Sequence, residues 1–190
     1  MLLTALLLMT RLAAVDPEPA SNQALRTELV TMRDADQEVR RRALKDPKNE
    51  QVKKEMAAVD ARNVARLREI LSTYGWPGKS LAGTDGAGAA WTIAQHGDQL
   101  FLQQTVPLMK AAAEKGDLDW SLVATSIDRM LLGQGKRQLY GTQFDTAGKC
   151  EPRTVDDPSH LDDRRKSVGL GPISEYAQVL CETYKSAVRP

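Results

Sequence analysis

Between Asn22 and Gly75, apolar residues recur at helical spacing, and one dipeptide, Asp46-Pro47, interrupts them. The first run carries Leu25, Leu29, Met32, Val39 and Ala43, with Asp36 breaking the stripe; the second carries Val52, Met56, Val59, Leu67 and Ile70. Residues three and four apart share a helix face, so each run predicts an amphipathic helix. Ser21 or Asn22 supplies the first N-cap, and that helix runs to about Leu44. Pro47 opens the second at its first helical position, and Gly75 ends it. Two long helices joined by so short a turn fold back on one another, giving a helical hairpin over residues 21–75. Its narrow apolar seam also permits a coiled-coil-like homodimer.

From Trp76 the texture changes. Residues 76–83 hold a proline and two glycines and predict no helix. Asp85 then caps a short helix to His96. Another runs from Asp98 to Lys115 with Pro107 inside it, and Asp119 caps a fourth to about Leu132. Leu118 and Val123 have the spacing of a hydrophobic staple. Residues 138–144 and 151–155 predict a small β-hairpin, in which Gln138, Tyr140 and Thr142 share one face. Asp157-Pro158 starts a short helix to Ser167. Pro172 opens a last one with Ile173, Tyr176, Leu180 and Tyr184 inward. The fold class is mainly α: a helical bundle with an N-terminal helical hairpin and one small β-hairpin, residues 76–190 forming the second part.

Residues 1–9 (MLLTALLLM) are apolar but too few to cross a bilayer, and the helix-breaking segment 15–20 reads as a linker. Residues 1–14 therefore read as a signal peptide with Ala14 at the cleavage position. This places the protein in the periplasm or outside the cell, with no stable membrane anchor after cleavage; without cleavage the reading is cytoplasmic. Lys and Arg number 26 and Asp and Glu 25, a net charge of +1, which lacks the basic excess of a nucleic-acid binder. Cys150 and Cys181 suit either a disulfide or two buried thiols, and their spacing is not that of a zinc site.

Chemistry-bearing residues gather in spaced motifs: Trp76-Pro77-Gly78-Lys79-Ser80-Leu81-Ala82-Gly83, Ala89-Ala90-Trp91, Gln95-His96-Gly97-Asp98, Asp128-Arg129-Met130-Leu131, and the run from Gln138 to Phe144 (QLYGTQF). A last one, Asp-x-Arg-Arg-x-x-x-Gly-Leu-x-Pro, fits when counted from Asp162 to Pro172, since Asp163-Arg164-Arg165 lacks the intervening residue. With these motifs in this order, residues 74–176 resemble a bacterial family of uncharacterised domains of unknown function. The resemblance brings no activity, substrate or cofactor with it.

His96, near a helix C-terminus, is the acid–base candidate. Gln95, Asp98, Asp128, Arg129, Gln138, Tyr140, Gln143 and Arg165 are the candidate ligand-binding residues: amides and a phenol for orientation, arginines for a carboxylate or phosphate. Gly78-Lys79-Ser80 is not a phosphate loop, because Thr73 stands where the first glycine is required. No metal set is present; Asp156-Asp157 and Asp162-Asp163 lack calcium-loop spacing. The cofactor stays unknown. Two readings follow. One is a small-molecule-binding or protein-interaction module with a polar pocket around Tyr140. The other is an enzyme using His96 for proton transfer and Arg129 or Arg165 to hold an anionic substrate.

Overall fold

A computed structural model describes residues 20–145 and 150–188, with side chains through Thr183. The leader and most of the linker lie outside the described residues, as does the inward placement of Tyr184. Helix α1 (Gln23–Lys45) is capped by Asn22, whose side chain accepts from the Leu25 N–H at 3.0 Å. Helix α2 (Glu50–Tyr74) is capped by Asn49, not opened by Pro47, which stays in the turn. Asn49 wins because its side chain can accept the Val52 N–H (3.2 Å), a bond proline cannot offer.

The two helices are antiparallel, because the residues they bond run in opposite directions. Glu28 meets Arg66, the Met32 carbonyl accepts from Asn63, Arg40 meets Asp60 and Arg42 meets Glu55. On the apolar side Leu25, Leu29, Val39, Leu67 and Ile70 are buried.

Helix α3 (Lys79–Gln95) corrects the expectation that residues 76–83 hold no helix: a turn forms from Lys79, and the break falls only at Gly83 (φ 70°, ψ 168°). Its small residues allow a close crossing with α1. A Cβ on Gly86 would stand 3.4 Å from the Arg26 Cα. Across the crossing, Arg26 grips Asp85 through two bonds of 2.7 and 2.8 Å. Helix α4 (Gln99–Glu114) contains Pro107, and α5 (Trp120–Gly133) packs on α4. Trp91 ties α3 to α5 by donating to the Leu122 carbonyl and the Ser126 hydroxyl. Asp119 ends the loop before α5, but its carboxylate is taken by Lys79 (2.6 Å) and not by the helix N-terminus.

The β-hairpin is shorter than predicted. β1 (Phe144–Asp145) pairs antiparallel with β2 (Glu151–Pro152), and Gln138 makes one isolated parallel bridge with Val155. Residues 138–143 form no strand because their N–H groups turn to a side chain. Leu139, Tyr140 and Thr142 all donate to the Asp128 carboxylate, at 2.7, 3.0 and 2.9 Å. The alternating faces expected for Gln138, Tyr140 and Thr142 are therefore absent. A 3-10 turn (Pro158–His160) leads into α6 (Leu161–Ser167), and α7 (Ile173–Val188) closes the described chain. A Cys150–Cys181 disulfide fastens α7 to the start of β2.

Candidate functional site

The loop 138–143 wraps Asp128. That carboxylate is fully buried and also accepts from the Thr142 hydroxyl at 2.9 Å. A buried anion is tolerated when it is this fully bonded. Gln138, also fully buried, donates to the carbonyls of Gln143 and Arg153 and accepts from the Gln143 N–H. Arg165 is 1% exposed; it donates to the carbonyls of Gly171 (2.6 Å) and Tyr140 (2.7 Å) and lies over the Tyr176 ring. Burial pulls its guanidinium below the ordinary value. Asp128, Gln138 and Arg165 thus spend their polar atoms inside the fold. Tyr140 gives its N–H to Asp128 and its carbonyl to Arg165; burial, then the Asp128 charge, pushes its phenol up. Asp98 caps α4, accepting from the Phe101 N–H at 2.6 Å.

The remaining candidates converge. Arg129 on α5 donates to the Gln95 carbonyl at 2.8 Å and lies 3.3 Å from Gln143 Oε1. The Gln95 amide is buried and donates to Ser126. Arg129 and Gln143 line a cleft of about 360 Å³ between the start of α4, the end of α5 and the β1–β2 hairpin. Gln99, Leu132, Phe144 and Arg153 complete its polar and apolar walls. Gly133 leaves room there: a Cβ at that position would lie 2.0 Å from Gln99 Oε1. Gln99 is itself held by donating to the Met130 carbonyl at 2.7 Å.

His96 is the C-cap of α3, one residue beyond the carbonyl that holds Arg129. Its acidic partner is not the neighbouring Asp98 but Asp36 on α1, whose Oδ1 lies 2.9 Å from His96 Nδ1. Asp36 is 1% exposed and also receives Gln37 (2.8 Å) and Arg40 Nε (3.1 Å). Burial alone would raise its carboxyl, but the His96 bond and charge, then Arg40 and Gln37, carry it below the ordinary value of 3.8. Arg40 reaches on to Asp60 of α2. Burial pushes the Asp60 carboxyl up, against the pull of Arg40.

Ligand atoms of Asp36, Asp60 and His96 lie within 4.8 Å of one another. The Arg40 guanidinium bonds to both carboxylates, so a divalent cation would have to displace a fixed one.

Sequence reasoning missed Asp36, Arg40, Asp60, Gln99 and Arg153. One signal was present: Asp36 stands on the apolar stripe of its helix, where a carboxylate needs a buried partner. The triplet Arg40-Arg41-Arg42 reads from sequence as one solvated face. Yet Arg40 turns inward, while Arg41 pairs with Glu38 at the surface. Comparison with curated proteins and with solved structures gives no match. A family model described as a family of unknown function (DUF6624) matches residues 23–189, nearly all of the described chain, and the protein belongs to that family.

Proposed function

We propose that this is an exported binding protein whose cleft takes a small anionic ligand. The observation that carries the reading is that Arg129 and Arg153 line one cleft together with the amides of Gln99 and Gln143. Guanidinium forks match carboxylate and phosphate oxygens in pairs, amides complete the orientation, and Leu132 and Phe144 supply an apolar wall. The ligand site centres on Arg129 and Gln143 instead of Tyr140, whose backbone groups serve Asp128 and Arg165. Export is supported by the apolar leader over residues 1–14 and by the Cys150–Cys181 disulfide, since such bonds persist in oxidising compartments.

The test is a thermal-shift and calorimetric screen of the protein against inorganic phosphate, sulfate and small dicarboxylates, at low and high salt. The expected result is a salt-sensitive rise in melting point that Arg153→Ala abolishes. Arg153 is exposed, so that variant keeps the unliganded stability of the wild type. No rise with any anion, or an equal rise in Arg153→Ala, sinks the reading.

A further inference from the structure

Gln99, the first residue of α4, gives its amide nitrogen to the Met130 carbonyl at 2.7 Å. Only the NH2 end of an amide can donate there, so the oxygen takes the other position. The Met130 carbonyl is itself fixed at the end of α5, where it also accepts the Gln134 N–H at 3.2 Å. Turning the amide over would set two carbonyl oxygens against each other, so its orientation is locked. Gln99 Oε1 lies over Gly133, where a Cβ would stand only 2.0 Å from it, and both residues line the cleft. Among the described residues no group donates to Oε1. Nor is it sealed from solvent, unlike the unbonded Arg42 Nε, Trp76 Nε1 and Gln95 Oε1.

The second amide of the cleft is occupied at both ends. Gln143 Oε1 faces Arg129 Nε at 3.3 Å, and its Nε2 donates to the Thr142 hydroxyl at 3.1 Å. The lining therefore combines two guanidiniums, no carboxylate, and one amide oxygen that can only accept. The guanidiniums favour an anion, and Oε1 favours a hydrogen-bond donor on that same ligand. An ammonium would meet two like charges and no carboxylate in the lining, so the donor is a neutral O–H. Hydrogen phosphate joins charge and O–H in one small group, and its acidic O–H is a stronger donor than that of an alcohol. We propose that the cleft takes hydrogen phosphate and that Gln99 Oε1 is the specificity-determining acceptor of its P–OH. The location of the ligand rests on the cleft reading above. Sulfate matches the phosphate dianion in shape and charge but carries no proton, so one of its oxygens would lie unbonded against Oε1. A phosphate monoester loses its last P–OH in a second ionisation near about pH 6, and its dianion then behaves as sulfate does.

The test is calorimetric titration of the protein with inorganic phosphate, sulfate and methyl phosphate at mildly alkaline pH, where all three are dianions. Phosphate is expected to bind about tenfold tighter than the other two. Gln99→Leu, which offers no amide oxygen, should bring phosphate down to the level of sulfate, with folding checked by urea titration. Should that variant not fold, the wild-type comparison decides alone. Arg153→Ala should weaken every anion that binds. Sulfate or methyl phosphate binding as tightly as phosphate overturns the selection for a protonated oxyanion while the cleft reading stands. A phosphate preference that survives in folded Gln99→Leu overturns the role of Gln99. No binding of any of the three, or binding unchanged in Arg153→Ala, overturns the cleft reading itself and the selection with it.

Discussion

Asp36 and His96, sixty residues apart in the chain, meet at 2.9 Å where α1 crosses the end of α3. The carboxylate is almost fully buried and receives Gln37, Arg40 and His96, so removing it leaves the His96 imidazole without its carboxylate and Arg40 with Asp60 alone. Asp36→Ala is expected to lower unfolding stability by about 3 kcal/mol, measured by urea titration. Asp36→Asn, which keeps the shape, should lose less. Equal stability of Asp36→Ala and wild type would show that the cluster contributes no net energy.

The loop 138–143 has Asp128 as its organising centre. The carboxylate gathers three backbone N–H groups and one hydroxyl, and no strand ladder replaces them. Asp128→Ala should therefore cost about 3–5 kcal/mol and expose the loop to protease. Asp128→Asn should also destabilise, because its NH2 group would face donors. Limited proteolysis with denaturant unfolding checks both.

Gly133 ends α5 beside Gln99. Alanine is the better helix former, but its Cβ would collide with the Gln99 amide and drive it from the Met130 carbonyl. Gly133→Ala should leave global stability within about 1 kcal/mol of wild type. It should weaken anion binding in the cleft, as read by calorimetry. Unaltered binding would place the ligand away from Gln99.

The disulfide closes a sequence separation of 31 residues. Phe144 meets Tyr176 edge-on at 5.6 Å, and the Tyr176 hydroxyl donates to the Thr142 carbonyl, so α7 also rests on the hairpin that walls the cleft. Replacing both cysteines by serine should cost about 3–4 kcal/mol on the loop-closure estimate. Hydrogen exchange should rise first in α7 and the β-hairpin, with the α1–α3 core unaffected.

Acid stability has a worked sign. Asp36 and Asp85, ordinarily near 3.8, and Glu28, ordinarily near 4.5, are lowered in the fold. For Asp36 burial is the largest influence and opposes the shift, which His96 and Arg40 carry; Asp85 and Glu28 are lowered chiefly by bonds from Arg26 and Arg66. Their contribution is present above the ordinary values and lost as pH falls through the native ones. Asp60, raised by burial, acts oppositely: its contribution is present below 3.8 and fades as pH rises through its native value. Unfolding free energy should therefore fall steeply below about pH 4, less so in Asp36→Asn. An identical acid limb in that variant would refute the assignment.

Local signals in the sequence determined much of this protein. Helical spacing, with Ser21 or Asn22 as the first cap, placed α1 and α4 closely, because such signals act within a few residues. They also placed the turn at Asp46-Pro47. The motifs carried a resemblance to a family of unknown function, and a family model over residues 23–189 shows such a family; His96, Arg129 and Gln143 were candidates from residue chemistry. Only the tertiary structure decided which groups meet. Asp36 became the partner of His96, Arg40 turned from the surface inward, Arg153 joined Arg129, and residues 138–143 gave up strand pairing for the Asp128 carboxylate. Those outcomes depend on contacts between groups far apart in the chain, such as Asp36 with His96 and Arg129 with Gln95. There a charge's energy is set by burial and partners, which periodicity along one segment does not encode.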